Sequence, residues 1–108
     1  MNDEDKKIIT LARAARARTG AAEGAAVRDE TGRTYSATSV ALPALTLSAL
    51  HVAVAMAVSS GAEGLEAAAL VTADDGARDS DVAAVRDLGA TAPVFVAGPD
   101  GSLKTTVN

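Results

Sequence analysis

The stretch LTLSALHVAVAMAVSSG, Leu45 to Gly61, constrains the fold more than any other part of the chain. Read as a helix it is apolar on nearly every side, and such a helix has to be covered on both faces. It carries Thr46 and Ser48 near its start, closes on Ser59-Ser60-Gly61, and holds the only histidine, His51. A membrane span needs about 20 predominantly apolar residues. With five polar residues inside it, this run reads instead as a buried core helix. The first residues, Met1 to Lys7, are acidic and lack a basic start followed by an apolar run, so no signal peptide is expected and the expected location is the cytoplasm.

The rest of the chain must supply the cover. Its 108 residues suit one compact domain, taken as 1–108. Apolar residues make up 48%, but most are Ala and Val, and the aromatics are Tyr35 and Phe95 alone. A core of such small side chains lets helices and sheet approach closely. The net charge of −4 argues against a general nucleic-acid binder, which carries a basic excess. With no cysteine there are no disulfides and no thiolate metal sites.

Asn2 or Asp3 can cap a first helix whose buried stripe is Ile8, Leu11, Ala12 and Ala15 and which Gly20 ends. Arg13, Arg16 and Arg18 near its end form a solvated face that suits the negative end of the helix dipole. Two extended runs, Gly24 to Arg28 and Arg33 to Ser39, flank Asp29-Glu30-Thr31-Gly32 and predict a β-hairpin. Leu42-Pro43 breaks the strand and leads into the long helix. Ala67 to Thr72 has the continuous apolar character of a central strand. Asp79 or Ser80 can cap a third helix, Asp81 to Leu88, terminated by Gly89. Strand, Pro99-Asp100-Gly101 turn and strand follow. The order α-β-β-α-β-α-β-β predicts an α/β fold, a mixed sheet of about five strands with helices packed on it. The acidic loop with Asp74, Asp75, Asp79 and Asp81 does not fit an EF-hand: counting from Asp74, the position that needs a bidentate Glu is Val85.

This order, with several short runs, resembles the small homo-oligomeric cytidine deaminases, the family that also includes blasticidin deaminases. The resemblance spans about Leu11 to Val107 and implies a three-layer α/β/α fold. EGAAVRDETGRTY is similar to the family's first hairpin, a Val-Gly-Ala-Ala-Leu run with an acidic Gly turn and a Tyr. LTLSALHVAVAMAVSSG resembles its catalytic helix, where Leu-Thr leads into Cys-Ala-Glu-Arg-Thr-Ala. VRDLGATAPVFVAGPDG is similar to its last helix, next strand and hairpin.

The family's chemistry does not carry over. Its first zinc ligand falls on Ser48, its catalytic glutamate on Leu50 and the next arginine on His51. Its Pro-Cys-x-x-Cys motif falls on Ala77-Arg78-Asp79-Ser80-Asp81, so both cysteines are replaced, by Arg78 and Asp81. The ribose-binding Asn-Val-Glu-Asn becomes Ser39-Val40-Ala41-Leu42, and the aromatic that stacks on the base aligns with Ala21. In the family, zinc makes a water nucleophilic while the glutamate shuttles protons. A catalytic zinc takes three protein ligands and keeps one open position. Neutral Ser48 is a poor ligand, Arg78 repels a cation, and Leu50 carries no proton, which forfeits a further ~10²–10⁴-fold of acid–base help. The expected state is a protein with no zinc and no cofactor, with Ser39, Ala41, Ser48, Leu50, His51, Arg78 and Asp81 lining a vestigial pocket.

His51 follows Ser48 by three residues, so the two share a helix face. A Ser–His–Asp relay through Asp81 is disfavoured, because residues one turn apart rarely give the required line-up. A structural histidine, bonded to backbone or to a carboxylate such as Asp81, is expected. For the whole protein the leading expectation is a catalytically inactive deaminase-fold protein acting through binding or assembly. A homodimer or homotetramer through the Leu45–Gly61 region is expected, since a helix this apolar outruns what one domain covers. The alternatives are a nucleoside- or nucleotide-type ligand binder, with Arg78 meeting an anionic group, and a hydrolase with a remodelled site. No nucleic-acid or membrane partner is expected.

Overall fold

Gly24 sets the spacing between the first helix and the sheet. A Cβ at this position would fall on the Ala12 carbonyl oxygen and against the Arg16 side chain, so only glycine lets the strand run so close beneath the helix. The computed structural model describes all 108 residues. That first helix, α1 (Asp3–Thr19), starts where the Asn2 side chain accepts a bond from the Asp5 N–H at 2.8 Å and ends at Gly20, whose φ of 69° is left-handed. Its buried row is Ile8, Ile9, Ala12 and Ala15. Ile9 replaces the expected Leu11, which is only partly buried, because α1 crosses the sheet along the Ile8–Ala12–Ala15 line with Ile9 on the flank turned inward.

The expected hairpin is β1 (Gly24–Asp29) and β2 (Thr34–Thr38), antiparallel, with Gly32 at φ 87° in the turn. The structure then departs from the sequence reading. Val40–Leu42 and Leu45–Leu47 form a second, two-stranded hairpin, β3 and β4, around Pro43-Ala44. The helix α2 spans Ala49–Ser59, not Leu45 to Gly61. Ser48 sets the boundary: it has extended backbone angles, and its Oγ accepts the His51 N–H at 3.1 Å, a side-chain N-cap. Leu45-Thr46-Leu47 alternates and pairs with Val40-Ala41-Leu42, so strand pairing takes the residues that precede the cap.

β5 (Leu65–Val71), α3 (Asp79–Leu88), β6 (Val94–Ala97) and β7 (Leu103–Val107) complete the chain. α3 starts two residues earlier than expected, and Arg78 occupies the cap position with no side-chain capping bond. The five-stranded sheet runs β2-β1-β5-β6-β7, parallel only between β5 and β6, which α3 connects. Period-two alternation divides the sheet's side chains. Ala26, Ala69, Val71 and Phe95 join Ile8 and Ala12 on the α1 side. Ala25, Val27, Leu70, Val94 and Val96 pack with Leu50, Ala53 and Val85 on the side of α2 and α3. This is a three-layer α/β/α arrangement with a mixed five-stranded sheet. α2 itself is covered on one side only: Ala49, Leu50, Ala53 and Ala57 are buried, whereas Met56 and Val58 are exposed, as are Leu42 and Leu45 on the small hairpin. The expectation of cover on both faces is not met within one chain. No helix is long and apolar enough to cross a membrane.

Candidate functional site

Four pieces of the chain meet at one end of the sheet. Glu23 stands at the mouth of β1, Ser39 and Ala41 come from the β2–β3 connection and β3, Ser48 and His51 open α2, and Arg78, Ser80 and Asp81 open α3. They line a cleft of about 350 Å³, open to solvent. Two helix N-termini therefore border the same cleft, and its floor carries two carboxylates that are almost fully buried, Glu23 (4% exposed) and Asp81 (1%).

Hydrogen bonds join these residues into one chain. Ser48 Oγ donates to Asp81 Oδ1 at 2.6 Å while accepting the His51 N–H. Arg78 Nη1 donates to Asp81 Oδ2 at 3.3 Å and to both Glu23 oxygens at 3.1 and 3.3 Å. The attraction of the Glu23 charge, then its hydrogen bond, raises the Arg78 pKa above its ordinary value, against the opposing effect of burial. The outer half of Arg78 stays in solvent, with Nη2 4.0 Å from Asp74. At the mouth, the Glu23 N–H donates to Ser39 Oγ at 3.2 Å, and the Ser39 N–H donates to the Glu23 carbonyl at 3.1 Å.

The histidine is committed elsewhere. His51 Nε2 lies 3.0 Å from the Ser80 carbonyl oxygen, which only accepts, so Nε2 carries the proton there. It is also 3.5 Å from Asp81 Oδ1. A protonated Nε2 cannot take the Ser48 proton, and Ser48 gives that proton's bond to Asp81. The three side chains tie the start of α2 to the start of α3 in a geometry that is not a nucleophilic relay.

Six of the seven residues anticipated for a pocket, Ser39, Ala41, Ser48, His51, Arg78 and Asp81, lie around this one cleft. Leu50 does not. It is fully buried in the core on the sheet-facing row of α2 with Ala53 and Ala57, so the cleft is not filled by it. Leu42 does not fill it either, being exposed on the small hairpin. The residue that sequence reasoning missed is Glu23. Its signal is an acid placed directly before the buried strand Gly24-Ala25-Ala26-Val27, where a carboxylate needs a cation or a set of donors.

A second polar cluster lies at the other end of β1. Asp29, nearly fully buried, accepts from the Thr31 N–H and hydroxyl, from the Arg33 N–H, and from the Tyr35 hydroxyl at 2.9 Å. Burial pushes its pKa up, but these donors outweigh it and hold the carboxyl down at about 2. This cluster fixes the hairpin turn.

Comparison with known proteins places this architecture. A family model described as cytidine deaminase-like matches residues 1–101. The chain belongs to the cytidine deaminase-like family. No curated protein matches the sequence. Among solved structures, cytidine deaminase from Burkholderia pseudomallei superposes with a TM-score of 0.82 at 21% identity, covering 100% of this chain and 93% of that one. Cytidine deaminase from Mycobacterium leprae gives 0.74 at 18% identity, over 98% and 94% of the two chains. A point mutant of the Mycobacterium tuberculosis enzyme gives 0.72 at 21%, over 95% and 91%. At these identities the likeness is one of fold. Of the three positions that the sequence resemblance assigns to the zinc motif, Ser48 and Arg78 both bond to the third, Asp81, within the cleft.

Proposed function

We propose that this cytidine deaminase-like protein does not carry out zinc-dependent deamination and acts through binding or assembly. The observation that carries the reading is the Ser48–Asp81–Arg78 chain. One of the three candidate ligands is a fixed cation, another is a neutral hydroxyl already donating its proton, and the third is a carboxylate shared between them. That donor set does not fit a catalytic zinc, which takes three electron-pair donors and an open position. Leu50, buried in the core, supplies no proton carrier at the cleft. The test is metal analysis of protein purified without chelators, together with ultraviolet absorbance during incubation with cytidine and deoxycytidine in the presence of added zinc. No bound zinc and no turnover above a buffer control are expected. About one zinc per chain, or clear turnover, overturns the reading.

The mode of action that the surface supports is assembly of identical chains through the Leu45–Gly61 region. Met56 on α2 and Leu42 and Leu45 on the small hairpin are exposed, and Met56 lines a groove of about 380 Å³ together with Leu47, Val52 and Ala55. A homodimer or homotetramer buries this face.

A second reading, a small-molecule binder, is favoured by the open cleft of about 350 Å³. Arg78 shares its charge with Glu23 and Asp81, so the cleft favours neutral nucleoside-type molecules over phosphates. Thermal unfolding with nucleosides and nucleotides tests it: a ligand at a hundred times its dissociation constant adds about 2.7 kcal/mol.

A further inference from the structure

Glu23 and Asp81 present an electrostatic problem that the fold has to solve. Both carboxylates are almost fully buried, and they come from different layers, one at the mouth of β1 and one in the first turn of α3. Two buried carboxylates facing one point repel each other, and each is costly to keep charged without a cation or donors. The family resemblance would set a zinc ion among Ser48, Arg78 and Asp81, but the residues here do not fit one. One atom of the chain bonds to both carboxylates, Arg78 Nη1, at 3.1 and 3.3 Å from Glu23 and 3.3 Å from Asp81.

We propose that Arg78 is the resident cation of this site: its guanidinium takes the electrostatic part of a metal ion, joining the mouth of β1 to the starts of α2 and α3, so that the fold needs no external cation there. The inference rests on the reading above that no zinc occupies the cleft. The link to α2 runs through Asp81, whose other oxygen holds the Ser48 hydroxyl that caps the helix. One side chain thus positions three elements. It differs from an ordinary surface ion pair, which contributes little, because its two acceptors are buried although about half of the Arg78 side chain is exposed. The remaining charged groups nearby do not substitute for it. Asp74 is a further acid beside Nη2, and His51 Nε2, although 3.5 Å from Asp81 Oδ1, bonds to the Ser80 carbonyl and makes no ion pair with Glu23. Arg78 is a positioning residue, and its charge, rather than its bulk, is what the site requires.

The experiment measures thermal unfolding of metal-stripped protein for four variants: Arg78→Met, which keeps length without charge; Arg78→Lys, which keeps charge without the planar fork; Glu23→Gln; and the double variant Glu23→Gln/Arg78→Met. Arg78→Met is expected to lower the melting temperature by about 5 °C or more, with Arg78→Lys recovering part of the loss. The decisive result is a reversal of sign. Glu23→Gln lowers the melting temperature when Arg78 is present, since it removes a partner of the cation. In the Arg78→Met background it raises it, since it removes a carboxylate left without a counter-charge. An effect of Glu23→Gln with the same sign in both backgrounds overturns the assignment, as does an Arg78→Met protein that melts with the wild type. If Arg78→Met yields no folded protein, recovery of folded protein in the double variant supports the assignment and failure to recover it overturns it. The wild-type zinc content tests the reading of function separately: a zinc-loaded wild type sinks that reading, whereas an unreversed sign sinks the resident cation alone.

Discussion

Asp29 gives the clearest pH signature at the scale of single residues. Its folded pKa of about 2 lies below the 3.8 of the free group, so the charged form is the one the fold favours. A depressed carboxylate contributes stability that is fully present above 3.8 and is lost as the pH falls through about 2. Replacing Asp29 by Asn removes the charge but keeps the shape. The wild type is expected to melt above Asp29→Asn at neutral pH, and the gap is expected to narrow as the pH is lowered through that window. Carboxylates common to both proteins protonate alike and cancel in the difference. A gap that stays constant down to pH 2 would show that the charge at Asp29 is not what the turn uses.

Ser48 is tested more simply. As the cap of α2 it receives the His51 N–H, and it also donates to buried Asp81. Removing a capping hydroxyl costs about 1 kcal/mol, and the lost donor to a buried carboxylate adds to that. Ser48→Ala is expected to cost about 1–3 kcal/mol in denaturant unfolding, with an unchanged far-ultraviolet circular dichroism spectrum. The nearness of Ser48 to His51 was legible because they lie within one helix turn. That of His51 to Asp81 was implied by the family resemblance, which assigns Ser48 and Asp81 to one site; the bond itself goes to backbone, at Ser80. The Glu23–Arg78 pair was not legible. Its members lie 55 residues apart in the sequence, and only the three-dimensional meeting of the mouth of β1 with the start of α3 pairs their charges.

At the scale of elements, what was legible followed from local chemistry. Asn2 and Gly20 mark the ends of α1, Gly32 marks the first turn, and the apolar run from Ala67 to Val71 within β5 marks the middle of the sheet. The boundary of α2 was misplaced because Leu45-Thr46-Leu47 is compatible with either a helical or an alternating pattern. The choice was decided by a partner strand, Val40–Leu42, that periodicity within the segment does not reveal. Gly24 is the element-scale position most open to test. It lies in β1 directly beneath α1, where any side chain meets helix backbone. Gly24→Ala is expected to push α1 off the sheet and to cost about 1–3 kcal/mol or more, as overpacking of a close contact does. The measurement is chemical denaturation. A loss within error of zero would mean that α1 can shift freely, against the tight small-residue packing of Ile8, Ala12, Ala26 and Ala69.

At the scale of the whole molecule, the unbalanced feature is α2. Its sequence is apolar around most of its circumference, yet the sheet covers only the row of Ala49, Leu50, Ala53 and Ala57. Met56 lines the groove with Leu47, Val52 and Ala55, whereas Val58, two residues further on, is exposed on a different face of the helix. A stable interface removes about 800 Å² from each partner, roughly a seventh of this chain's 5539 Å² of surface. The proposed assembly therefore has a direct test in light scattering coupled to size exclusion. The wild type is expected to elute as a dimer or tetramer at micromolar concentration. Met56→Glu, in the groove, places a charge where the partner's apolar surface would desolvate it, and is expected to yield monomers. Met56 is exposed within the single chain, so the variant is expected to keep its circular dichroism spectrum, which separates lost assembly from lost folding. A strictly monomeric wild type would remove assembly from the proposed function. The open cleft between α2, α3 and the mouth of β1 would then be the surface through which this protein acts.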